Sequence, residues 1–168
     1  MTQDRATSST TDAAPVGNLA DLVTRAAARH GSRTAFVHGA ERPTWTEFDA
    51  AVSRLAAALT GCGLRPGERL AVMLPNTLDF PLHYFAALRA GLVVVPVNNG
   101  YTAPELRHVL ADSAAAALVT DEAGSQSLAD IRSGLPELRQ VLSPASLKSP
   151  GASGKSLAAA RGGRSSPS

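Results

Sequence analysis

Three short apolar runs, residues 70–74, 92–97 and 116–120, mark the middle of the chain, and the stretches between them carry apolar residues every three or four positions. The runs are nearly continuous in hydrophobicity, Val93-Val94-Val95 most plainly, as in strands covered on both faces. The alternation reads strand, helix, strand, helix, strand. Residues 75–91 have the length that a crossover between parallel strands needs. The pattern therefore predicts a three-layer α/β unit with these runs as parallel strands of one sheet.

The first crossover helix is expected to begin near Asn76 or Thr77, with Pro81 in or close to its first turn and Gly91 ending it in a left-handed conformation. Leu78, Leu82, Phe85 and Leu88 form the stripe predicted to face the sheet. The second helix opens at Thr102 and Pro104, with Leu106, Val109 and Leu110 on its inner face. Upstream, Asn18 caps an amphipathic helix over residues 18–30, whose apolar side is Leu19, Leu22, Val23 and Ala26. Residues 35–38 and 43–45 flank a hairpin turn at residues 39–42. Thr46 is then read as the cap of a long helix with the stripe Phe48, Val52, Leu55, Leu59 and Cys62, followed by the turn Arg65-Pro66-Gly67-Glu68. Beyond Thr120 the periodicity weakens to a short helix over residues 128–133 and a last strand at residues 140–142.

Composition changes the picture at both ends. Residues 1–17 are Ser, Thr, Ala and Asp without an apolar run, and Asp4 and Asp12 do not suit a signal or transit peptide, so a disordered leader is expected. Residues 143–168 turn to Ser, Gly, Pro, Ala and basic residues with no periodicity, the composition of a disordered tail. The core unit is thus expected over residues 18–142. At 168 residues and 44% hydrophobic content, the chain fits one ordinary domain with a real core. Arg89 and Pro96 interrupt the most apolar region, so no membrane span is expected and the protein is placed in the cytoplasm.

The formal net charge is +2. Five basic residues, Arg139, Lys148, Lys155, Arg161 and Arg164, follow the last acid, Glu137, which leaves 11 basic against 14 acidic residues before them. The basic balance is a property of the tail, which has no aromatic residue to stack on bases, and nucleic acid is not an expected partner.

Four segments together resemble the N-terminal subdomain of the adenylate-forming (AMP-binding) enzymes, the acyl-CoA synthetases in particular. They are PTWTEF at residues 43–48, GLRPGERLAVMLPN at 63–76, LRAGLVVVPVN at 88–98 and YTAPELRHVLADS at 101–113. The resemblance spans about residues 18–142, and Asn98 is more similar to the acid–CoA ligases than to peptide-synthetase adenylation domains, which usually carry aspartate there. It implies an enzyme that activates a carboxylic acid, a fatty acid among the commonest, with ATP and Mg²⁺ as an acyl adenylate and passes it to coenzyme A. The family's phosphate loop, its adenine and ribose segments and its catalytic lysine have no match in these residues. The chain is therefore expected to be an N-terminal fragment, inactive alone, with no cofactor of its own and no catalytic, cofactor-binding or metal residue to carry over. An uncovered strand edge and apolar surface would favour self-association.

Individual residues offer little independent chemistry. Cys62 is the lone cysteine and lies on an apolar stripe, so it reads as a buried thiol. His30, His38, His83 and His108 have no spacing that puts two on one helix face. Glu47, Asp79, Glu105 and Asp112 stand at expected helix ends, and Trp45 and Tyr101 read as packing residues. Residues 151–156, GASGKS, end like a P-loop, but Ser149 stands where that motif needs glycine. Two other readings stay open. One is a non-catalytic module that pairs with a separately encoded remainder; the other is a small nucleotide-binding α/β protein using the loops at Pro75-Asn76 and Asn98-Asn99.

Overall fold

The structure is a computed structural model and describes residues 17–148. The expected leader, apart from Gly17, and the P-loop-like stretch lie outside the described residues. In chain order the elements are α1 (Asp21–His30), α2 (Trp45–Gly61), β1 (Arg69–Met73), α3 (Asp79–Arg89), β2 (Val93–Pro96), α4 (Ala103–Asp112), β3 (Ala117–Thr120), α5 (Glu122–Ala129), β4 (Gln140–Leu142) and α6 (Pro144–Lys148). The four strands form one parallel sheet in the order β2-β1-β3-β4.

Strand alternation divides the core into two layers. Leu70, Val72 and Val119 point to the side covered by α2, α3 and α6, whereas Ala71, Met73 and Leu118 point to the side covered by α4 and α5. The three-layer α/β unit read from the sequence is therefore the fold, and the last strand falls at residues 140–142 as expected.

Several local expectations are corrected. Val93-Val94-Val95 lies in β2, at the open edge of the sheet, and Val93 is 50% exposed. Its apolar run reflects a strand with two covered faces only in part, because sheet order is set by how crossovers pack and not by local hydrophobicity. On α1 the buried side chain is Val23, while Leu19 and Leu22 are about half exposed. The N-cap of α1 is Ala20, without a side-chain cap, and not the expected Asn18, whose Oδ1 accepts from the Ala20 N–H at 2.9 Å just ahead of the helix.

The cap of α2 is Thr44, two residues before the expected Thr46. The Thr44 N–H donates to Glu47 Oε2 at 2.8 Å and the Glu47 N–H donates to Thr44 Oγ1 at 3.3 Å, a reciprocal capping box. The predicted α2 stripe of Phe48, Val52, Leu55, Leu59 and Cys62 is buried in full.

On α3 the deepest residues are His83, Ala86 and Ala87, not the Leu78, Leu82, Phe85 and Leu88 stripe, which is half-buried. The two alanines let the helix lie close to the sheet, and the larger side chains flank it, with Phe85 edge-on to Phe48 of α2 at a centroid distance of 6.2 Å. Helix α3 starts at Asp79 rather than near Asn76, and Gly91, at φ 76, ends it in the left-handed region. Helix α5 begins six residues before the expected position, capped by Asp121, whose Oδ1 accepts from the Gly124 N–H at 3.0 Å.

The boundary at residue 143 is also revised. Pro144–Lys148 form α6, which folds back so that Leu147 is buried among the α2 side chains and Lys148 Nζ reaches Asp79 Oδ1 at 2.6 Å.

Candidate functional site

A cleft of about 680 Å³ lies between the hairpin, the first turns of α2, the start of α3 and α6. Its floor is apolar, built from Phe48, Ala51, Leu78 and Leu82. Its rim carries His38, Glu41 and Arg42 from the hairpin, Glu47 from α2, Asp79 from α3 and Lys148 from α6. A narrower extension of about 240 Å³ continues past Arg54, Leu55 and Leu147, and shares Ala51, Leu82 and Lys148 with the main cleft.

Local chemistry explains why these elements meet. Gly39, at φ 58, supplies the left-handed corner that brings His38 and Glu41 into antiparallel pairing across the hairpin. The Thr44–Glu47 capping box then starts α2 directly beneath it, and the Thr44 hydrogen bonds hold the Glu47 carboxyl below its ordinary pKa. Pro75 and Asn76 carry the chain from the carboxyl end of the sheet to Thr77 and Leu78 at the cleft wall. The Lys148–Asp79 pair closes the opposite side at 2.6 Å.

Most rim charges are thus engaged in holding their own elements in place. Glu47 serves the α2 terminus, Asp79 anchors α6, and His38 Nδ1 lies 3.8 Å from Glu41 Oε2. The arrangement is suited to binding a surface with apolar and charged parts.

Of the residues singled out from the sequence, His38, Glu47 and Asp79 meet at the cleft rim, and the others lie elsewhere. Cys62 is buried beneath α2, burial pushes its thiol pKa up, and its carbonyl accepts from Gln140 Nε2 at 2.7 Å. His83 is fully buried on α3; its Nδ1 lies 2.7 Å from the Asp79 carbonyl oxygen and its Nε2 has no protein partner. Burial pushes the His83 pKa below the ordinary imidazole value, so the ring is neutral at pH 7. His108, Glu105 and Tyr101 border a separate shallow depression of about 370 Å³. There the Thr102 N–H and hydroxyl donate to Glu105 Oε2 at 2.8 and 2.7 Å, so Glu105 is a helix-terminus residue. Trp45 packs in an aromatic cluster with Phe36 and Phe48. Among the described residues no three His, Cys, Asp or Glu side chains are grouped so as to hold a metal ion.

The loops at the carboxyl ends of the strands are likewise committed to structure. Strand order reverses between β1 and β3, the place where open α/β sheets usually leave a crevice. Here the start of α5 fills it, since a Cβ on Gly124 would run into Thr120 Oγ1 and Met73 Cε. After β2, Asn98 Oδ1 accepts from the Gly100 N–H at 2.9 Å and shapes its own turn.

Lys148 is the cleft residue that sequence reading missed. It lies 69 positions from Asp79 in a segment of Ser/Pro/Ala composition, and only the tertiary fold brings the two together. The capping boxes were visible as Thr-x-x-Glu at residues 44–47 and 102–105.

Comparison with known proteins now assigns the fold. A long-chain-fatty-acid–CoA ligase of Salmonella typhimurium is 43% identical over 103 residues, which is 61% of this chain and 18% of that protein. The crystal structure of a putative long-chain-fatty-acid CoA ligase from Rhodopseudomonas palustris superposes with a TM-score of 0.70 at 28% identity, covering 76% of this chain and 32% of the other. The N-terminal domain of FACL13 from Mycobacterium tuberculosis gives a TM-score of 0.73 at 25% identity, covering 78% of this chain and 35% of that one. The chain spans less than a fifth of the length of the Salmonella relative. Residues 23–165 match the model of the AMP-binding enzymes, and the chain belongs to that family.

Proposed function

We propose that this chain is the N-terminal portion of an AMP-forming acid–CoA ligase of the cytoplasm. In that reading the completed enzyme activates a carboxylic acid, a fatty acid first among the candidates, as its acyl adenylate and transfers the acyl group to coenzyme A, using ATP and Mg²⁺. The observation that carries it is the 43% identity to a long-chain-fatty-acid–CoA ligase, confined to 18% of that protein's length.

The chain by itself does not form acyl adenylates. Attack at the α-phosphate depends on fixed donors and cations around the developing charge, and loss of one such donor costs on the order of 100-fold in rate. In the cleft Lys148 is paired with Asp79, and Arg42 stands on the hairpin at the other side of the rim. ATP–pyrophosphate exchange with the purified chain, Mg²⁺ and a panel of fatty and aryl acids tests this. No acid-dependent exchange is expected; exchange that follows the acid would show a complete site within these residues.

A further inference from the structure

We infer that the buried ring of His83 is a pH-sensitive latch for α6: when the ring takes up a proton, α6 lets go of α2 and α3, and the wall of the cleft that it forms opens. The latch lies wholly within the described residues and holds whether or not the chain is part of a ligase.

Asp79 joins the two ends of the latch. Its carbonyl oxygen lies 2.7 Å from Nδ1 of His83, one helical turn further along α3, and its carboxylate holds Lys148 Nζ of α6 at 2.6 Å. A carbonyl oxygen only accepts, so Nδ1 carries the hydrogen of the neutral ring and Nε2 is left a bare acceptor. Nε2 is buried with no hydrogen-bond partner among the described residues. A proton added there creates a buried cation whose new N–H nothing accepts, and the packed interior resists this until part of it opens. The part that opens at least cost is α6, a helix of 5 residues with Leu147 as its buried side chain, tied down at its end by Lys148.

Charge couples the ring to α6 in the same direction. Two side-chain charges act on the ring: the Asp79 carboxylate favours the imidazolium, and the Lys148 ammonium opposes it. The other ionisable groups on the elements around α3 are engaged in different places. On α2, Glu47 is committed to Thr44, Asp49 to Arg89, and Arg54 lines the narrow extension of the cleft beside Lys148. On β1, Arg69 donates to the Ser113 and Ala114 carbonyls, β2 has no ionisable side chain, and on α3 itself Tyr84 stacks with Phe80. Since seated Lys148 lowers the ring's affinity for a proton, a proton on the ring lowers the affinity of α6 for its seat by the same factor. Burial is the larger effect and has the same sign, because an opened wall lets water reach the ring. Helix α6 is therefore fully seated above about pH 6.5 and loosens as pH falls through the value at which the buried ring titrates. Release exposes Leu55 and Leu82, which line the extension together with Leu147.

The experiment follows the Leu147 methyl groups and the His83 ring by NMR in the full chain from about pH 7.5 to about pH 5, a range that spans the imidazole titration. The latch predicts that the Leu147 methyls move to the shifts of a solvated leucine with the midpoint of the His83 titration, while the methyls of Val72 and Val119 in the sheet stay where they are. His83→Gln should hold the Leu147 methyls in place over the whole range. Lys148→Gln, at a half-exposed position, should raise the ring's proton affinity by at least about twofold, and it decides by itself should His83→Gln fail to fold. Leu147 methyls that ignore pH, that still move in His83→Gln, or that move together with those of Val72 and Val119 overturn the inference, as does an unchanged His83 midpoint in Lys148→Gln.

Discussion

Arg89 of α3 grips Asp49 of α2 at 2.7 Å, and with the same guanidinium ties in α1. Its Nη1 donates to the Asp49 carbonyl and Ser53 Oγ at 3.0 and 2.7 Å, and its Nη2 donates to Thr24 Oγ1 at 2.8 Å. Both partners are about one-fifth to one-quarter exposed, so solvent screens the pair only in part. Arg89→Ala should therefore lower stability by about 2 kcal/mol, because it removes the cation from a carboxylate and a donor from three further acceptors together. Asp49→Asn, which keeps the backbone acceptor, should cost about half as much. Urea titration with an unchanged slope is the check, and equal midpoints for Arg89→Ala and the parent chain would remove the clamp from the account.

His83 makes stability depend on pH in a defined direction. Burial, the largest cause, lowers its folded pKa below the reference 6.5, so between the two values the unfolded state holds more protons. The stability from the neutral buried ring is complete above about pH 6.5 and is lost as pH falls toward the folded pKa. Asp79, through its charge, opposes the shift and Lys148 adds to it. The hydrogen-bonded carboxylates Glu47, Glu68 and Glu105 act in a lower window, below their reference 4.5. Unfolding measured from pH 7.5 to 5 should show a slope that His83→Gln flattens; an identical slope in the variant would assign the dependence elsewhere.

Gly124 is required for the close approach of α5 to β3. A methyl group there meets Thr120 Oγ1 and Met73 Cε, both in the packed interior. Gly124→Ala should destabilise by about 2 kcal/mol through overpacking, despite alanine's better helix propensity. Adding Thr120→Ala, which removes a buried hydroxyl without a hydrogen-bond partner, should recover part of that loss. Additive effects in the double-mutant cycle would contradict the contact.

Local signals and global arrangement were legible to different degrees. Strand positions, the α2 stripe and β4 follow from apolar runs and periodicity, because burial of those side chains decides the local structure. The position of β2 at the sheet edge does not, since Val93-Val94-Val95 looks the same in a central strand. The α3 face was misread because large side chains were weighted over Ala86 and Ala87, whose small size is what allows contact with the sheet. The cleft was not legible at all: its walls come from residues 38–51, 77–82 and 147–148, which only the packing of α6 onto α2 brings together.

Self-association of the chain is expected to run through the open edge of β2. Two copies pairing antiparallel through this edge would share the Val94 N–H and carbonyl groups, while Pro96 withholds the next donor. With Val93 half exposed beside it, the surface is apolar enough to attract a partner strand but supplies few hydrogen bonds to hold one. Pro96→Val restores an outward N–H, worth about 1 kcal/mol in each of two symmetric contacts, and should tighten self-association by at least about tenfold. Val93→Lys should act oppositely, by placing like charges across the pair. Sedimentation equilibrium of the three proteins decides the matter. If Pro96→Val and the parent chain associate equally, the edge is not the contact, and the half-exposed Leu19 and Leu22 of α1 become the surface to test next.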